Sequence, residues 1–305
     1  MNAPRRPPRR KVDGVLLLDK PIGISSNAAL QQVRRLFNAA KAGHTGTLDP
    51  LATGLLPLCF GEATKFAGAL LDADKAYCAT VQLGVITDTA DAEGRVLETR
   101  PVIADVTLVE AVLPRFIGTQ QQVPPMYSAL KRDGTPLYEL ARQGIEVARA
   151  PRQITIHSLE LSAWSGDRFD LAVSCSKGTY VRTLAADIGQ VLGCGAHLAA
   201  LRRTRVGTLD VSNAITLEGI ENTPATERDT LLMPPDALLA DLPVVVLTAQ
   251  EVARLLLGQS VSWVALPVER CRLTGPRGFF GLGEITSDGW LRPKRLVITQ
   301  TDDCL

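Results

Sequence analysis

Long apolar runs are missing from this 305-residue sequence, and no stretch reaches the about 18 residues that a membrane-spanning helix needs. No apolar segment with a cleavage site follows the N-terminus, so we expect no export signal and a cytoplasmic protein. Aromatic residues make up only 5% of the chain, so its core should consist of Leu, Val, Ile and Ala. Neither G-x-G-x-x-G after a strand nor G-x-x-x-x-G-K-[ST] occurs, so the sequence does not support a nucleotide cofactor.

Metal-ligating patterns are also absent. The three histidines lie far apart in the sequence, and no two cysteines form a C-x-x-C pair. We therefore expect no metal and no disulfide framework, with the cysteines as buried free thiols. The six cysteines are Cys59, Cys78, Cys175, Cys194, Cys271 and Cys304.

The formal net charge is only +1, which argues against a protein that coats nucleic acid through bulk charge. The charges are segregated, however. Basic residues cluster at 5–11, 34–35, 201–205 and 292–295, and acidic residues gather at 218–241. This distribution allows a local basic surface beside an acidic one, although solvated charge runs explain each cluster equally simply. Residues 1–12 should be a disordered basic arm.

Periodicity predicts interleaved strands and helices. Helical spacing after Ser25 or Ser26 predicts a capped helix with apolar residues through Phe37, and further helices should follow at 62–75 and 105–116. The inner side of the 105–116 helix should carry Leu108. Strict alternation predicts strands at 75–87, with Tyr77 on the face that carries its apolar residues, and a hairpin of 153–164 with 168–176.

Hairpins and the lack of a regular βαβ repeat favour an α+β fold over a doubly wound parallel sheet. We expect a mixed, largely antiparallel central sheet flanked by helices, spanning 13–240. A Pro-flanked excursion at 124–150 has the character of an inserted loop that closes over a ligand. A Pro-containing, acidic boundary at 222–243 precedes a small β-rich unit at 241–305.

One short segment, KAGHTGTLDPLATGLLPL at 41–58, places Asp49 beside apolar chain. A plain Asp-Pro turn whose carboxylate caps backbone amides accounts for this pattern by itself. The surrounding glycines and the apolar wall that follows also suit a carboxylate presented at a partly dry cleft. Such a carboxylate needs a nearby cation to stay ionised. Arg182, flanked by apolar residues, is the candidate.

Five segments together resemble the TruB-type pseudouridine synthases. They are LLLDKPIGISS, GHTGTLDPLATGLLPLCFGEATK, KAYCATVQLGVITDTADAEG, VPPMYSALKRDGTPLYELAR and SCSKGTYVRTLAADIG. The resemblance covers most of residues 13–206, with the motifs in the family's order, and the C-terminal unit is similar to a PUA-like RNA-binding domain. It implies the pseudouridine synthase fold and conversion of uridine 55 in the T-arm loop of tRNA to pseudouridine. No metal or cofactor takes part.

The resemblance also implies roles for individual residues. Asp49 matches the carboxylate that attacks the ribose C1′ or the uracil ring, or that initiates glycal formation. Tyr77 matches the tyrosine that stacks on the base and can take part in a proton transfer, and Arg182 matches the arginine that pairs with the carboxylate. Leu201 matches an apolar wall residue. His44 would occupy the space vacated by the flipped nucleotide, since a stacked base hides the bond that must break.

Further positions carry weaker implications. Lys20 matches the motif that braces the catalytic loop, and Asp91 lies in a turn near the substrate. Tyr180 and Lys65 are additional substrate-binding candidates. The 124–150 insertion would grip the T-arm stem, and the enzyme would act as a monomer without an obligatory protein partner.

Three other functions remain to be weighed. An RNA-binding or folding-assistance protein could keep this scaffold without catalysis. A guide-RNA-dependent relative within a ribonucleoprotein would share the Asp49 loop. A metal-dependent hydrolase would use His44, Asp49 and Asp91 as ligands.

Overall fold

The computed structural model describes residues 8–297, and the first seven and last eight residues lie outside the described part. In chain order the strands and α-helices are β1 (Gly14–Lys20), α1 (Ser26–Leu36), β2 (Ala42–His44), β3 (Thr53–Phe60), α2 (Gly68–Leu71), β4 (Lys75–Leu83), β5 (Val85–Thr87), β6 (Val96–Thr99), α3 (Val106–Val112), β7 (Gly118–Gln122), β8 (Lys131–Arg132), β9 (Thr135–Pro136), α4 (Leu137–Arg142), β10 (Arg152–Ser165), β11 (Arg168–Cys175), α5 (Val181–Val191), β12 (Ala196–Val206), β13 (Leu209–Asp210), β14 (Ile215–Thr216), α6 (Leu217–Asn222), β15 (Val244–Val246), α7 (Ala249–Leu256), β16 (Val261–Ser262), β17 (Val268–Gly275), β18 (Gly278–Ile285) and β19 (Trp290–Leu296). Short 3-10 helices lie at Gly61–Lys65, Leu113–Phe116, Val211–Asn213, Arg228–Leu231 and Pro235–Leu239.

A ten-stranded sheet forms the larger part of the molecule. Its order is β14-β1-β3-β12-β4-β11-β10-β7, with β2 added beside β3 and β13 beside β12. Only the β1–β14 and β3–β12 pairs are parallel, and the others are antiparallel. The predicted α+β fold with a mixed, largely antiparallel sheet is confirmed, as is the β10–β11 hairpin.

Helix α1 forms where the apolar spacing predicts it. Ser25 is its N-cap and accepts a hydrogen bond from the Ala28 backbone N–H at 3.1 Å, which satisfies one of the free donors of the first turn. Ala29, Leu30 and Val33 are buried against the sheet. The helix therefore covers one face of β1 and β3 and supports the loop between β1 and α1.

Two predicted helices are shorter than expected. The 62–75 segment is a 3-10 turn followed only by α2, whose end is capped because Lys75 Nζ donates to the Leu70, Leu71 and Ala73 carbonyls. The 105–116 segment leaves α-helical geometry after Val112 and continues as a 3-10 helix containing Pro114. The inward placement of Leu108 was wrong, since this side chain is 43% exposed.

A second sheet of five strands, β15-β17-β18-β19-β16, lies in the C-terminal part of the chain. Its outer helix α7 begins with a complete capping box between Thr248 and Glu251. Leu282 and Val297 pack in one cluster with Leu238 and Leu239 of the preceding segment. The small unit is thus joined to the large sheet through a shared apolar core.

Two further expectations need correction. Cys78 is exposed, because it lies on the outward side of β4, whereas Cys59, Cys175, Cys194 and Cys271 are buried free thiols; Cys304 lies outside the described residues.

The part of the basic arm that is described is ordered: Arg10 forms a bidentate ion pair with Asp229, and Val12 is buried. Residues 1–7 of that arm lie outside the described part. Within residues 8–297, no helix is long and apolar enough to span a bilayer.

The parallel pairing of β3 with β12 depends on a glycine. Gly54 lies opposite Arg203 with φ at 96°, and a Cβ built on it would lie 2.3 Å from the Arg203 carbonyl oxygen. Any larger residue would push the two strands apart. This glycine therefore fixes how closely the segment after Asp49 approaches β12.

We predict that Gly54→Ala lowers the free energy of unfolding by about 1–3 kcal/mol, because it adds a backbone clash to the strain of a positive φ. Gly166→Ala is the matched control, since Gly166 has a positive φ of 67° but open space around its missing Cβ. Denaturant titration of both variants measures the difference. Equal losses in the two variants would contradict the steric argument.

Candidate active site

The loop 45–52 between β2 and β3 brings Asp49 to the middle strands of the large sheet, where β3, β12 and β4 lie side by side. Ser26, the first residue of α1, anchors this loop through two hydrogen bonds. Its hydroxyl donates to the Leu48 carbonyl at 2.9 Å and accepts from the Leu48 N–H at 2.7 Å. The backbone immediately before Asp49 is therefore anchored to a helix, so that the carboxylate has a defined position.

Arg182 pairs with two carboxylates. Its Nε lies 3.0 Å from Asp49 Oδ2 and its Nη1 lies 3.3 Å from Asp91 Oδ2. The guanidinium also donates to the carbonyls of Thr89 and Tyr127. Only 5% of the Arg182 side chain is exposed, whereas 41% of the Asp49 side chain is exposed. The arginine is thus a fixed, buried cation, and Asp49 keeps one side open.

Burial raises the pKa of the Asp49 carboxyl, and the positive charge of Arg182 opposes that rise. The negative charge of Asp91 adds to the increase, while Lys20 reduces it. The net direction is upward from the ordinary aspartate value of 3.8. The arginine therefore supports ionisation of Asp49 but does not fully cancel the cost of its partly dry surroundings.

A cavity of about 240 Å³ opens directly above this ion pair. Asp49 and Arg182 form its charged side. Tyr77, Tyr180 and Leu201 supply aromatic and apolar surface. The predicted residues from four separate parts of the chain thus meet around one space, with flat apolar walls and one charged side.

Tyr77 and Leu201 reach the cavity from neighbouring strands. Tyr77 lies on β4 and faces Arg203 of β12, while Leu201 faces Ala79 of β4. Burial raises the pKa of the Tyr77 phenol, and the positive charge of Arg203 opposes that increase. Tyr77 is therefore held as a neutral phenol at neutral pH.

A wider cavity of about 720 Å³ continues from the first and shares Asp49 and Arg182 with it. Its size lies within the about 300–1,000 Å³ range that ligand sites occupy. His44, Asp91 and Glu93 line it, together with Tyr138 of α4 in the insertion. Burial lowers the pKa of His44, and in the described chain its Nδ1 has no hydrogen-bond partner. This ring is therefore neutral at neutral pH, and its unpaired Nδ1 is buried within the protein.

Lys20 lies beneath the Asp49 loop rather than in either cavity. It is fully buried, and its Nζ donates to the carbonyls of Ile24 at 2.7 Å, Pro21 at 2.9 Å and Pro50 at 3.4 Å. Burial lowers the pKa of Lys20 to about 8, against the opposing influence of Asp49. The position fits the bracing role that the resemblance implies, because one cation ties the β1–α1 turn to the residue after Asp49.

Lys65 is the one predicted site residue that the structure separates from the others. Its Nζ pairs with Glu62 and donates to the Leu296 carbonyl of β19 at 3.0 Å. It therefore links the two sheets and lines neither cavity. Helical spacing alone could not reveal this, because the partner strand lies more than 200 residues further along the chain.

Two residues near the site were missed from the sequence. Glu93 lines the wider cavity, and burial together with the negative charges of Asp91 and Asp49 raises the pKa of its carboxyl. Arg203 is buried, and in the sequence it stands out only as part of the basic cluster at 201–205. A signal for Arg203 was present, since alternation in a strand places residue 203 on the same face as Leu201.

The residues around this site do not form a set of ligands for a metal ion. In residues 8–297 no three His, Cys, Asp or Glu side chains come together as a metal-binding group. The two nearest carboxylates, of Asp49 and Asp91, already share the Arg182 guanidinium. A divalent cation would have to displace this arginine, so the arrangement disfavours the hydrolase hypothesis.

The chain matches three family descriptions in succession. Residues 34–181 match "TruB family pseudouridylate synthase (N terminal domain)". Residues 182–240 match "tRNA pseudouridylate synthase B C-terminal domain", and residues 243–297 match "Pseudouridine synthase II TruB, C-terminal".

Curated relatives and solved structures agree with these matches. The tRNA pseudouridine synthase B of Azoarcus sp. (strain BH72) is 59% identical over 297 residues, covering 97% of this chain and 99% of the relative. That of Dechloromonas aromatica (strain RCB) is 57% identical over 288 residues, covering 94% and 96%. A chain in the "Crystal Structure of a Cbf5-Nop10-Gar1 Complex" has a TM-score of 0.72 at 25% identity, with 94% of this chain and 86% of that chain covered. The predicted pseudouridine synthase fold is confirmed, and the chain belongs to the TruB family of pseudouridylate synthases.

Proposed function

We propose that this protein isomerises uridine 55 in the T-arm loop of tRNA to pseudouridine, with Asp49 as the group that starts the reaction. The observation that carries the proposal is the partly open Asp49 carboxylate, paired with the buried Arg182 inside a cavity walled by Tyr77 and Leu201. Family membership supplies the reaction type. The names of the most similar relatives support tRNA as the substrate.

The chemistry needs no group beyond the substrate and these side chains. The N1–C1′ glycosidic bond of the uridine breaks, the uracil turns, and a C5–C1′ bond forms while the proton on C5 is released and N1 takes up a proton. Attack at C1′, attack at the uracil ring and glycal formation all require an ionised Asp49 with one open side. The charge on Arg182 meets the first requirement and the 41% exposure of the carboxylate meets the second.

The nucleotide must leave the RNA stack to reach Asp49. The wider cavity supports this step, since neutral His44 stands at its side and can take the place that the flipped base leaves. Tyr77 offers a ring for stacking on the uracil, which is worth about 1–3 kcal/mol per base. Tyr180 and Leu201 complete the apolar wall, and Asp91 acts through Arg182 rather than on the base.

We assign catalysis to residues 13–240 and RNA contact outside the cavity to the 124–150 insertion and the PUA-like unit at 241–305. All of the cavity-lining residues lie in the first part, and Tyr138 and Arg142 of the insertion face the wider cavity. The enzyme acts as a monomer on cytoplasmic tRNA without a protein partner. The Cbf5 chain, by contrast, was solved in a complex with two other proteins.

Asp49→Asn should abolish pseudouridine formation on unmodified tRNA while leaving the dissociation constant within about tenfold, because the amide keeps the shape but cannot act as a nucleophile or base. Asp105→Asn is the control, since Asp105 caps α3 and Asn also caps helices well. Tritium release from C5-labelled tRNA and filter binding provide the two measurements. Wild-type turnover by Asp49→Asn would refute the role assigned to Asp49, whereas a lack of turnover by the wild-type protein would favour the RNA-binding hypothesis.

The raised pKa of Asp49 predicts the position of the acid limb of the reaction. Because only the carboxylate is active, the single-turnover rate falls as pH decreases through the pKa of Asp49, and this midpoint should lie above 3.8. Asp91→Asn removes a negative charge that raises this pKa, so the midpoint should move downward in that variant. Rates are measured over the acidic range in which the tRNA stays folded. A midpoint at or below 3.8 in the wild type would contradict the prediction.

A bare T-arm stem-loop tests both the site and the independence from partners. Purified protein should convert uridine 55 in this RNA without guide RNA or other proteins, and EDTA should leave the rate unchanged. Product mapping by carbodiimide-primer extension identifies the modified position. Conversion that begins only when guide RNA and partner proteins are added would favour the ribonucleoprotein hypothesis, and modification of another uridine would refute the assigned position.

A further inference from the structure

Arg203 is a buried guanidinium without a carboxylate partner among the described residues. Its side chain is 2% exposed, and its hydrogen bonds go to backbone carbonyl groups. Burying a charge is costly unless it is well hydrogen-bonded, and a packing role would be met by an apolar side chain of similar size. Packing alone therefore does not explain why the N–H groups of a guanidinium are placed here.

These donors hold both ends of the Asp49 loop. Nη2 lies 3.3 Å from the Gly46 carbonyl oxygen, and Nη1 lies 3.5 Å from that of Thr47. On the other side of the loop, Nε donates to the Leu55 carbonyl at 2.8 Å. One rigid, planar group thus spans the residues before and after Asp49.

The same guanidinium faces the Tyr77 phenol. Arg203 and Tyr77 are directly opposite each other in the antiparallel β12–β4 pair, so their side chains lie on the same face of the sheet. The positive charge of Arg203 also opposes the burial that raises the pKa of Tyr77.

We propose that Arg203 is a positioning residue that fixes the Asp49 loop and the Tyr77 hydroxyl relative to each other. The Asp49 carboxylate and the Tyr77 phenol can then contact the same nucleotide at the same time. The proposal rests on the roles proposed above for Asp49 and Tyr77. The two arginines have different contacts, since Arg182 pairs with the Asp49 carboxylate itself and Arg203 binds the backbone that carries it.

The first test compares Arg203→Lys with Arg202→Lys. Arg202 is adjacent in β12, and strand alternation directs it to the other face, where it forms a bidentate ion pair with Asp19. Lysine keeps the charge but cannot span the three carbonyls of Gly46, Thr47 and Leu55, so Arg203→Lys should lower the single-turnover rate about 10- to 100-fold. The tRNA dissociation constant should change by less than about threefold, and Arg202→Lys should change neither quantity by more than this. Equal rates in the two variants would overturn the proposal.

A double-mutant cycle tests the link to Tyr77 and separates positioning from a general loss of structure. If Arg203 acts in part by orienting the phenol, Arg203→Lys should cost at least about threefold less in a Tyr77→Phe background than in the wild type. A general loosening of the fold would instead multiply with Tyr77→Phe and would lower the melting temperature of Arg203→Lys. Fully multiplicative effects would refute the link.

The two levels of the proposal fail differently. A Tyr77→Phe variant with the wild-type rate would refute a role for the Tyr77 hydroxyl while leaving the stacking role of its ring intact. The comparison of Arg203→Lys with Arg202→Lys would still decide whether Arg203 positions the Asp49 loop. A wild-type protein that is inactive on tRNA would refute the proposed function instead. The role of Arg203 would then be tested by trypsin cleavage after Lys41 or Lys65. If Arg203 holds the Asp49 loop, this cleavage should be at least about tenfold faster in Arg203→Lys than in Arg202→Lys.

Discussion

The contact between Asp49 and Arg182 is the interaction on which the rest of the site depends. A carboxylate at the edge of an apolar cavity would take up a proton more readily than one in water, and burial does raise the pKa of Asp49. A mobile cation would offset this only part of the time. Arg182 is immobile because the Thr89 and Tyr127 carbonyls and Asp91 use its other donors. The geometry thus supplies a charge that is always present at one side of Asp49.

Several backbone contacts keep that geometry in place. Ser26 ties Leu48 to α1, Lys20 ties Pro50 to the β1–α1 turn, and Gly54 allows β3 to approach Arg203 closely. None of these residues needs to touch a substrate. They show how a short loop can hold a carboxylate in place, since Leu48 and Pro50 on either side of Asp49 both form hydrogen bonds to neighbouring elements.

Much of the fold followed from periodicity. Helix α1 and the β10–β11 hairpin lie where spacing predicted them, and the mixed sheet agrees with the lack of a βαβ repeat. The helices at 62–75 and 105–116 are shorter than their apolar spacing indicates, since the first segment contains only the four-residue α2 and the second becomes a 3-10 helix that contains Pro114. Local spacing reports which face can be buried, but the backbone decides how far a helix extends.

Part of the site was also predictable from the sequence, but from individual residues and the family resemblance rather than from periodicity. Asp49 and the need for a cation followed from the residues, and the resemblance added Tyr77, Leu201 and His44, all of which line the cavities. Lys65 was placed there by resemblance and instead connects the two sheets. The sequence alone determined the class of fold, the reactive carboxylate and the family. Only the tertiary structure decided that Arg182 bridges Asp49 and Asp91 and that Arg203 binds the backbone of the Asp49 loop. These contacts join residues about 90 to 160 positions apart through strand register, which no local pattern encodes.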